Sequence, residues 1–265
     1  MITHFAGLSL NTVSIQGVKQ FYHHQLGFPI QSSSKYTITF QPTSDMTLTF
    51  EENHEPISPA HFAFEVPYSQ FDVLVDQLHA RGITLLTWPD GEAVKAFETG
   101  VNVYFRDGDG NLLELIAHHY VQGDVVVPSG DWQILYMREI GMPVEDVREL
   151  TQWMRETLQM RVRDESDWFN FVIGGTAHAV VVSTQRRWIP IQMVALPPRM
   201  TVTFGVQDLG RLLQMKEQLD DQEIIDSTET ALTIKKFNYI FRFVPSSLAL
   251  DIPARLHLPH RHRNE

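Results

Sequence analysis

The 265-residue chain contains no cysteine. Disulfides, thiolate metal ligands and a cysteine nucleophile are therefore excluded. No apolar run approaches the roughly 20 residues that span a bilayer. The first residues, MITHFAGLSLNT, lack the basic region and long apolar run of a signal peptide. Positive charge is also scarce, the formal net charge being −11. Nucleic-acid binders draw most of their affinity from basic contacts to phosphate, so that role is not expected. There is no glycine-rich phosphate loop and no nucleophile elbow. The expectation is a cytoplasmic protein with no nucleic-acid or membrane partner, either a monomer or a homodimer.

What is present is ordinary for a globular protein: 43% hydrophobic and 20% charged residues. The length suits one large domain or two of usual size. The segment 251–265, ending LHLPHRHRNE, reads as a solvated, disordered His/Arg tail.

The chain repeats itself. GLSLNT (Gly7–Thr12) and HFAFEV (His61–Val66) alternate apolar and other residues, the period of a strand. Each precedes a segment of helical period, GVKQFYHHQLGF and FDVLVDQLHARGI, and each helix ends near a glycine, Gly27 or Gly82, suited to a left-handed C-cap. Strand-like pieces follow: YTITF and MTLTF, then NVYFR and LLELIA. The order recurs with EIGMPV before VRELTQWMRETLQMRV and with TVTFGV before LGRLLQMKEQL. Four βαβββ units of about sixty residues result.

One such unit cannot bury the inner face of its sheet alone. Two units side by side form a curved sheet around a cavity with helices outside, and the cavity is the natural place for a ligand. The predicted fold is α+β, two half-barrels: residues 1–120, a linker at 121–130, and residues 131–250.

The second unit holds an oddity. In YFRDGDGNLLELIA (Tyr104–Ala117), Glu114 sits inside an almost wholly apolar strand. A buried carboxylate needs a cation or an equivalent partner. Arg106 on the neighbouring strand is one candidate and a metal ion is another.

FYHHQLGF, AHFAFEV and above all YFRDGDGNLLELIA resemble the vicinal oxygen chelate superfamily, which includes glyoxalases, bleomycin-resistance proteins and extradiol dioxygenases. The resemblance covers residues 4–119 well and 130–245 by pattern. It implies glyoxalase-like half-barrels and a divalent metal, iron(II) or manganese(II) foremost, with zinc or nickel as alternatives. It implies ligands at Gly7, His61 and Glu114, with Tyr104 as a catalytic hydrogen-bond donor. The implied substrate is a small aromatic or vicinal-oxygen compound.

The pattern is incomplete. Gly7 offers no side chain, so His4 is the candidate third ligand, brought round by a bulge. Glu51 would need a register shift. In the second half, Glu139 and Thr201 occupy the first-strand ligand positions, but the last strand offers Phe241 and Arg242 instead of a carboxylate. No metal is predicted in the C-terminal half-barrel. Two functions stay open: a metal-dependent dioxygenase, lyase or isomerase, and a metal-free protein enclosing a small planar ligand.

Overall fold

The computed structural model describes residues 2–121, 124–163, 165–249 and 251–258. The first unit comprises β1 (Ile2–Thr12), α1 (Ile15–Val18) continued by a π-helical stretch (Lys19–Gln25), β2 (Ile30–Ser33), β3 (Thr37–Thr43) and β4 (Met46–Glu52). The second comprises β5 (His61–Glu65), α2 (Phe71–Ala80), the short β6 (Leu85–Leu86) and β7 (Val94–Phe97), β8 (Gly100–Arg106) and β9 (Leu112–His118). The third has β10 (Tyr136–Val144), α3 (Val147–Glu156), β11 (Arg161–Arg163), β12 (Phe169–Gly174) and β13 (Ala177–Ser183). A small hairpin, β14 (Arg187–Trp188) and β15 (Met193–Val194), precedes the fourth unit. That unit has β16 (Met200–Val206), α4 (Leu209–Gln218), β17 (Ile224–Ser227), β18 (Leu232–Lys236) and β19 (Tyr239–Pro245).

Two large sheets form two glyoxalase-like half-barrels. Their composition differs from a pairing of consecutive units. One sheet runs β17-β18-β19-β16-β1-β4-β3-β2 and joins the fourth unit to the first. The other runs β11-β12-β13-β10-β5-β9-β8-β6 and joins the third to the second. Each unit presents its first strand as a bare edge, and bare edges must be covered. Antiparallel pairing of β1 with β16, and of β5 with β10, covers all four. Each half-barrel therefore draws on both halves of the chain, and the division at residues 121–130 separates units rather than sheets.

Strand alternation sorts the side chains. On β5, Phe62 and Phe64 enter the core between the sheets, while His61, Ala63 and Glu65 share the opposite face. The helices fill the space between sheets. Tyr22 of α1's continuation stacks on Phe40 and Phe50 of one sheet, and its neighbour Phe21 meets Phe105 of the other. Trp153 of α3 lies against Phe241, with ring centroids 5.2 Å apart. The segment just after the linker is docked too: the Trp132 indole N–H donates to the Leu26 carbonyl.

The C-terminal segment is not wholly a tail. Residues 252–255 form α5 (Ile252–Arg255), and Ile252, Leu256 and Leu258 are buried against Leu135 and Tyr136. The sequence LHLPHRHRNE carries leucines that find an apolar seat at Leu135 and Tyr136, which composition alone does not reveal. The remainder, from 259 on, lies outside the described residues.

Asp107 ties the first unit to the second. Its carboxylate accepts from the Tyr22 hydroxyl at 2.7 Å, from the Asn111 amide N–H at 2.8 Å and from Asn111 Nδ2 at 2.7 Å. Burial nevertheless pushes its pKa up to about 6, against the opposing pull of these bonds. A folded pKa above the unfolded one adds stability that is complete below the unfolded value and is lost as pH rises through the folded value. Asp107→Asn removes this titration. The stability of the wild type relative to Asp107→Asn, measured by denaturant unfolding, is expected to fall by up to about 3 kcal/mol between pH 4 and 7.5. A pH-independent difference would contradict it.

Candidate metal centre

Three buried side chains converge on the concave face of the β5–β10 half-barrel: His61, Glu114 and Glu139. His61 opens β5, Glu114 is the middle of β9 and Glu139 lies on β10. One donor atom from each falls within 4.8 Å of the others. His61 Nε2 is 3.6 Å from Glu114 Oε2 and 3.9 Å from Glu139 Oε2. A bulge in β10 between Met137 and Glu139 shifts the register, so that Glu139 lies opposite Ala63 while Tyr136 faces Glu65. That shift turns Glu139 towards His61.

The surroundings orient these groups. The His61 Nδ1 sits 3.1 Å from the Leu112 carbonyl, which can only accept, so Nδ1 carries the proton and Nε2 presents its lone pair to the carboxylates. Asn102 Nδ2 donates to Glu114 Oε1 at 2.8 Å and to the Tyr104 hydroxyl at 3.1 Å. The His61 ring packs between Trp188 and Tyr104, with centroids at 5.0 and 6.3 Å. Gly141 makes room for that indole, since a Cβ there would lie 2.7 Å from Trp188 Cη2.

Electrostatics point to a missing positive charge. Burial, then the charge of Glu139, raises the Glu114 pKa well above the ordinary carboxylate range, against bonds from Asn102 and Tyr104 and the charge of Arg138. Burial, then Glu114 and Glu139, likewise keeps the Tyr104 hydroxyl protonated far above its usual range. The buried cation nearby is Arg138: Nη1 donates to Glu65 at 2.9 Å, Nη2 donates to the Tyr120 hydroxyl at 2.9 Å, and Nε lies 3.7 Å from Glu139 Oε1. Burial opposes its charge, but Glu65, Tyr136, Tyr120 and Glu139 together more than offset this and raise its pKa. Three buried carboxyl groups, Glu65, Glu114 and Glu139, thus share one buried guanidinium, Arg138. A divalent cation between Glu114 and Glu139 would relieve the imbalance. An imidazole lone pair with two carboxylates is a donor set for iron(II) or manganese(II). The residues fit the group.

Two of the sequence-expected ligands, His61 and Glu114, come together here, with Tyr104 beside them. His4 does not join them. It lies on β1 in the other sheet, where its ring meets Thr3 Oγ1 at 2.8 Å and the Asp45 carbonyl at 3.2 Å. Burial foremost lowers its pKa, so it is a neutral core histidine. The third member is Glu139 of the C-terminal half, contrary to the expectation that this half contributes no metal site. Arg106, the alternative partner for Glu114, is exposed and lies opposite Leu112. Asn102 and Arg138 were not anticipated; both stand on the strand faces that also carry Tyr104 and Glu65.

Register identifies the remaining positions. Glu114 lies opposite Ala63, two residues past His61. The same offset from Glu139 leads through Gly141 to Val180, an apolar residue. In the other half-barrel the four equivalent positions are Gly7, Thr49, Thr201 and Arg242, and among the described residues no second metal-competent group forms. A pocket of about 150 Å³ opens over the cluster, lined by His61, Tyr104, Glu139, Phe171, Arg186 and Trp188 among others.

Paired βαβββ units cupped around an imidazole–carboxylate cluster define a half-barrel protein equipped for a divalent metal. Residues 2–115 match the sequence model of the glyoxalase/bleomycin resistance protein/dioxygenase superfamily. No curated protein matches the sequence. In structure the chain is similar to a "putative dioxygenase" from Bacillus subtilis, at 12% identity over 97% of this chain and 90% of that one, with a TM-score of 0.65. It is also similar to a glyoxalase I variant from Zea mays, at 10% identity over 91% and 92% of the two chains, with a TM-score of 0.57. At such identities the likeness concerns the fold, and it extends over all four units.

The cluster makes a direct prediction for metal binding. Purified protein is expected to take up one manganese(II) or iron(II) per chain. Loss of an outer partner of a metal ligand weakens affinity by about 10–100-fold, and Asn102→Ala is expected in that range. His61→Ala and Glu139→Gln remove donors and should exceed it, whereas His4→Ala should leave affinity unchanged. Calorimetric titration that finds Glu139→Gln equal to wild type would remove Glu139 from the site.

Proposed function

We propose that the protein is a metal-dependent enzyme of the vicinal oxygen chelate type, acting on a small aromatic compound with two adjacent oxygens, and that its reaction is extradiol cleavage of a catechol by dioxygen. The observation that carries this reading is the His61–Glu114–Glu139 cluster at the base of an aromatic-lined pocket. Three protein donors leave room for two substrate oxygens, as a catalytic site requires and a closed structural site does not. Iron(II) held there would supply Lewis acidity and one-electron chemistry.

The chain's own residues do the rest. His61 and the two carboxylates fix the reactive end of the pocket, and rigid strands hold them. The walls, Trp188, Phe171 and Tyr104, take a planar ring by stacking and exclude water from it. Tyr104 keeps its proton under the influence of burial and the nearby acids, so its hydroxyl is a hydrogen-bond donor to an oxygen bearing negative charge. Asn102 holds that hydroxyl and Glu114 in mutual register.

A second reading is a metal-free protein that sequesters a planar ligand. The aromatic walls and Val180 at the fourth ligand position favour it. Lyase or isomerase chemistry with zinc or nickel has no comparable support in the pocket.

The test is dioxygen uptake by iron(II)-loaded protein offered simple catechols. Extradiol cleavage places both atoms of one dioxygen in the ring-opened product, so uptake should match product one to one. Glu139→Gln and His61→Ala should lower kcat/KM at least a hundred-fold, and Tyr104→Phe should lower kcat more than it raises KM. Iron-bound protein that opens no catechol, yet binds aromatic compounds equally with and without metal, would favour the sequestering reading.

A further inference from the structure

The pocket has a second polar component. Besides His61 and Glu139 its lining includes Arg186, immediately before the β14–β15 hairpin, and Arg187, the first residue of β14. Arg186 is half-buried, and its guanidinium lies over the Phe169 ring at 4.3 Å from the centroid. Phe169 lines the same pocket. Among the described residues neither arginine lies within ion-pair distance of an acid, although the chain carries 32 acidic against 21 basic residues. Arg187 is occupied by the backbone, donating to the Gln192 carbonyl at 3.0 Å, which braces the hairpin. Arg186 has no such engagement.

A half-desolvated guanidinium without a counter-ion is poorly placed for stability alone. Its planar fork, held flat by stacking on an aromatic ring, is suited to grip a carboxylate through two parallel hydrogen bonds. The surrounding chain is strongly acidic, so a free cation in the pocket lining also marks where an anionic ligand would enter against the general field. The pocket thus demands two different groups from one molecule: adjacent oxygens at His61, Glu114 and Glu139, and a negative charge at Arg186. Its aromatic walls demand a flat body.

We propose that Arg186 makes the pocket selective for an anionic aromatic substrate, a catechol whose ring bears a carboxylate on the side away from its hydroxyls. The proposal rests on the reading of the cluster as a site for vicinal oxygens, and its test separates the two.

Metal-loaded protein under argon, which prevents turnover, is titrated with 3,4-dihydroxybenzoate and with its methyl ester, following tryptophan fluorescence from Trp188. The two probes share ring and hydroxyls and differ in charge. The acid is expected to bind at least ten-fold more tightly than the ester at pH 7. Arg186→Gln should bring the ratio near one, Arg186→Lys should retain part of it, and raising the salt concentration should shrink it in the wild type. Acid and ester binding alike, or an acid preference that survives in Arg186→Gln, would overturn the anion selectivity while leaving the vicinal-oxygen site standing. Failure of both probes to bind would overturn both.

Discussion

A sheet edge left bare exposes a row of unpaired N–H and C=O groups, and each βαβββ unit has such an edge along its first strand. How these edges are covered decides everything downstream. Pairing β5 with β10 places two first strands antiparallel at the centre of one sheet, with β9 and β13 flanking them. Glu139 thereby reaches His61 and Glu114. The same rule applied to β1 and β16 yields the other half-barrel, whose equivalent positions hold glycine, threonine and arginine. One edge-pairing rule gives two half-barrels, one of them equipped.

Equipping it is expensive in isolation. Three carboxylates and a guanidinium lie buried on one concave face. Glu65, Arg138 and His118 satisfy one another, with His118 Nδ1 at 3.0 Å from Glu65. Tyr120 joins this set, its hydroxyl accepting from Arg138 Nη2 at 2.9 Å. The set leaves Glu114 without a cation of its own and Glu139 with only a share of Arg138, whose Nε lies 3.7 Å away. A buried like-charged pair is destabilising unless a proton or a metal ion sits between its members. The fold thus trades stability for a place that could hold a divalent ion, with the donors carried on rigid strands.

Much of this was legible in the sequence. Alternation at Leu8 and Leu10, and at Phe62 and Phe64, identifies the first strands because a half-buried strand has no other pattern. Gly27 and Gly82 end their helices with φ of 69° and 71°, the left-handed caps expected of them. Glu114 stood out as a carboxylate in an apolar strand, and His61 as its partner on the same face. The choice of sheet partner was not legible. All four units carry similar free edges, so strand period cannot say whether the first unit joins the second or the fourth. Glu139 was recognisable as a residue at a ligand position, but assigning it to a half-barrel whose last strand ends in Phe241 and Arg242 hid its role. His4 attracted attention through proximity in sequence to Gly7, whereas its ring is held by Thr3 and Asp45. The apolar seat of Leu256 and Leu258 exists only once Leu135 and Tyr136 are in place.

The central claim is that one metal ion lies between the second and third units. Crystals of the manganese(II)-loaded protein, examined by anomalous scattering, test it most directly. The account predicts a single peak per chain, within bonding distance of His61 Nε2 and of the carboxylates of Glu114 and Glu139. A peak in the half-barrel of Gly7 and Thr201, or an empty cluster at saturating manganese, would contradict it.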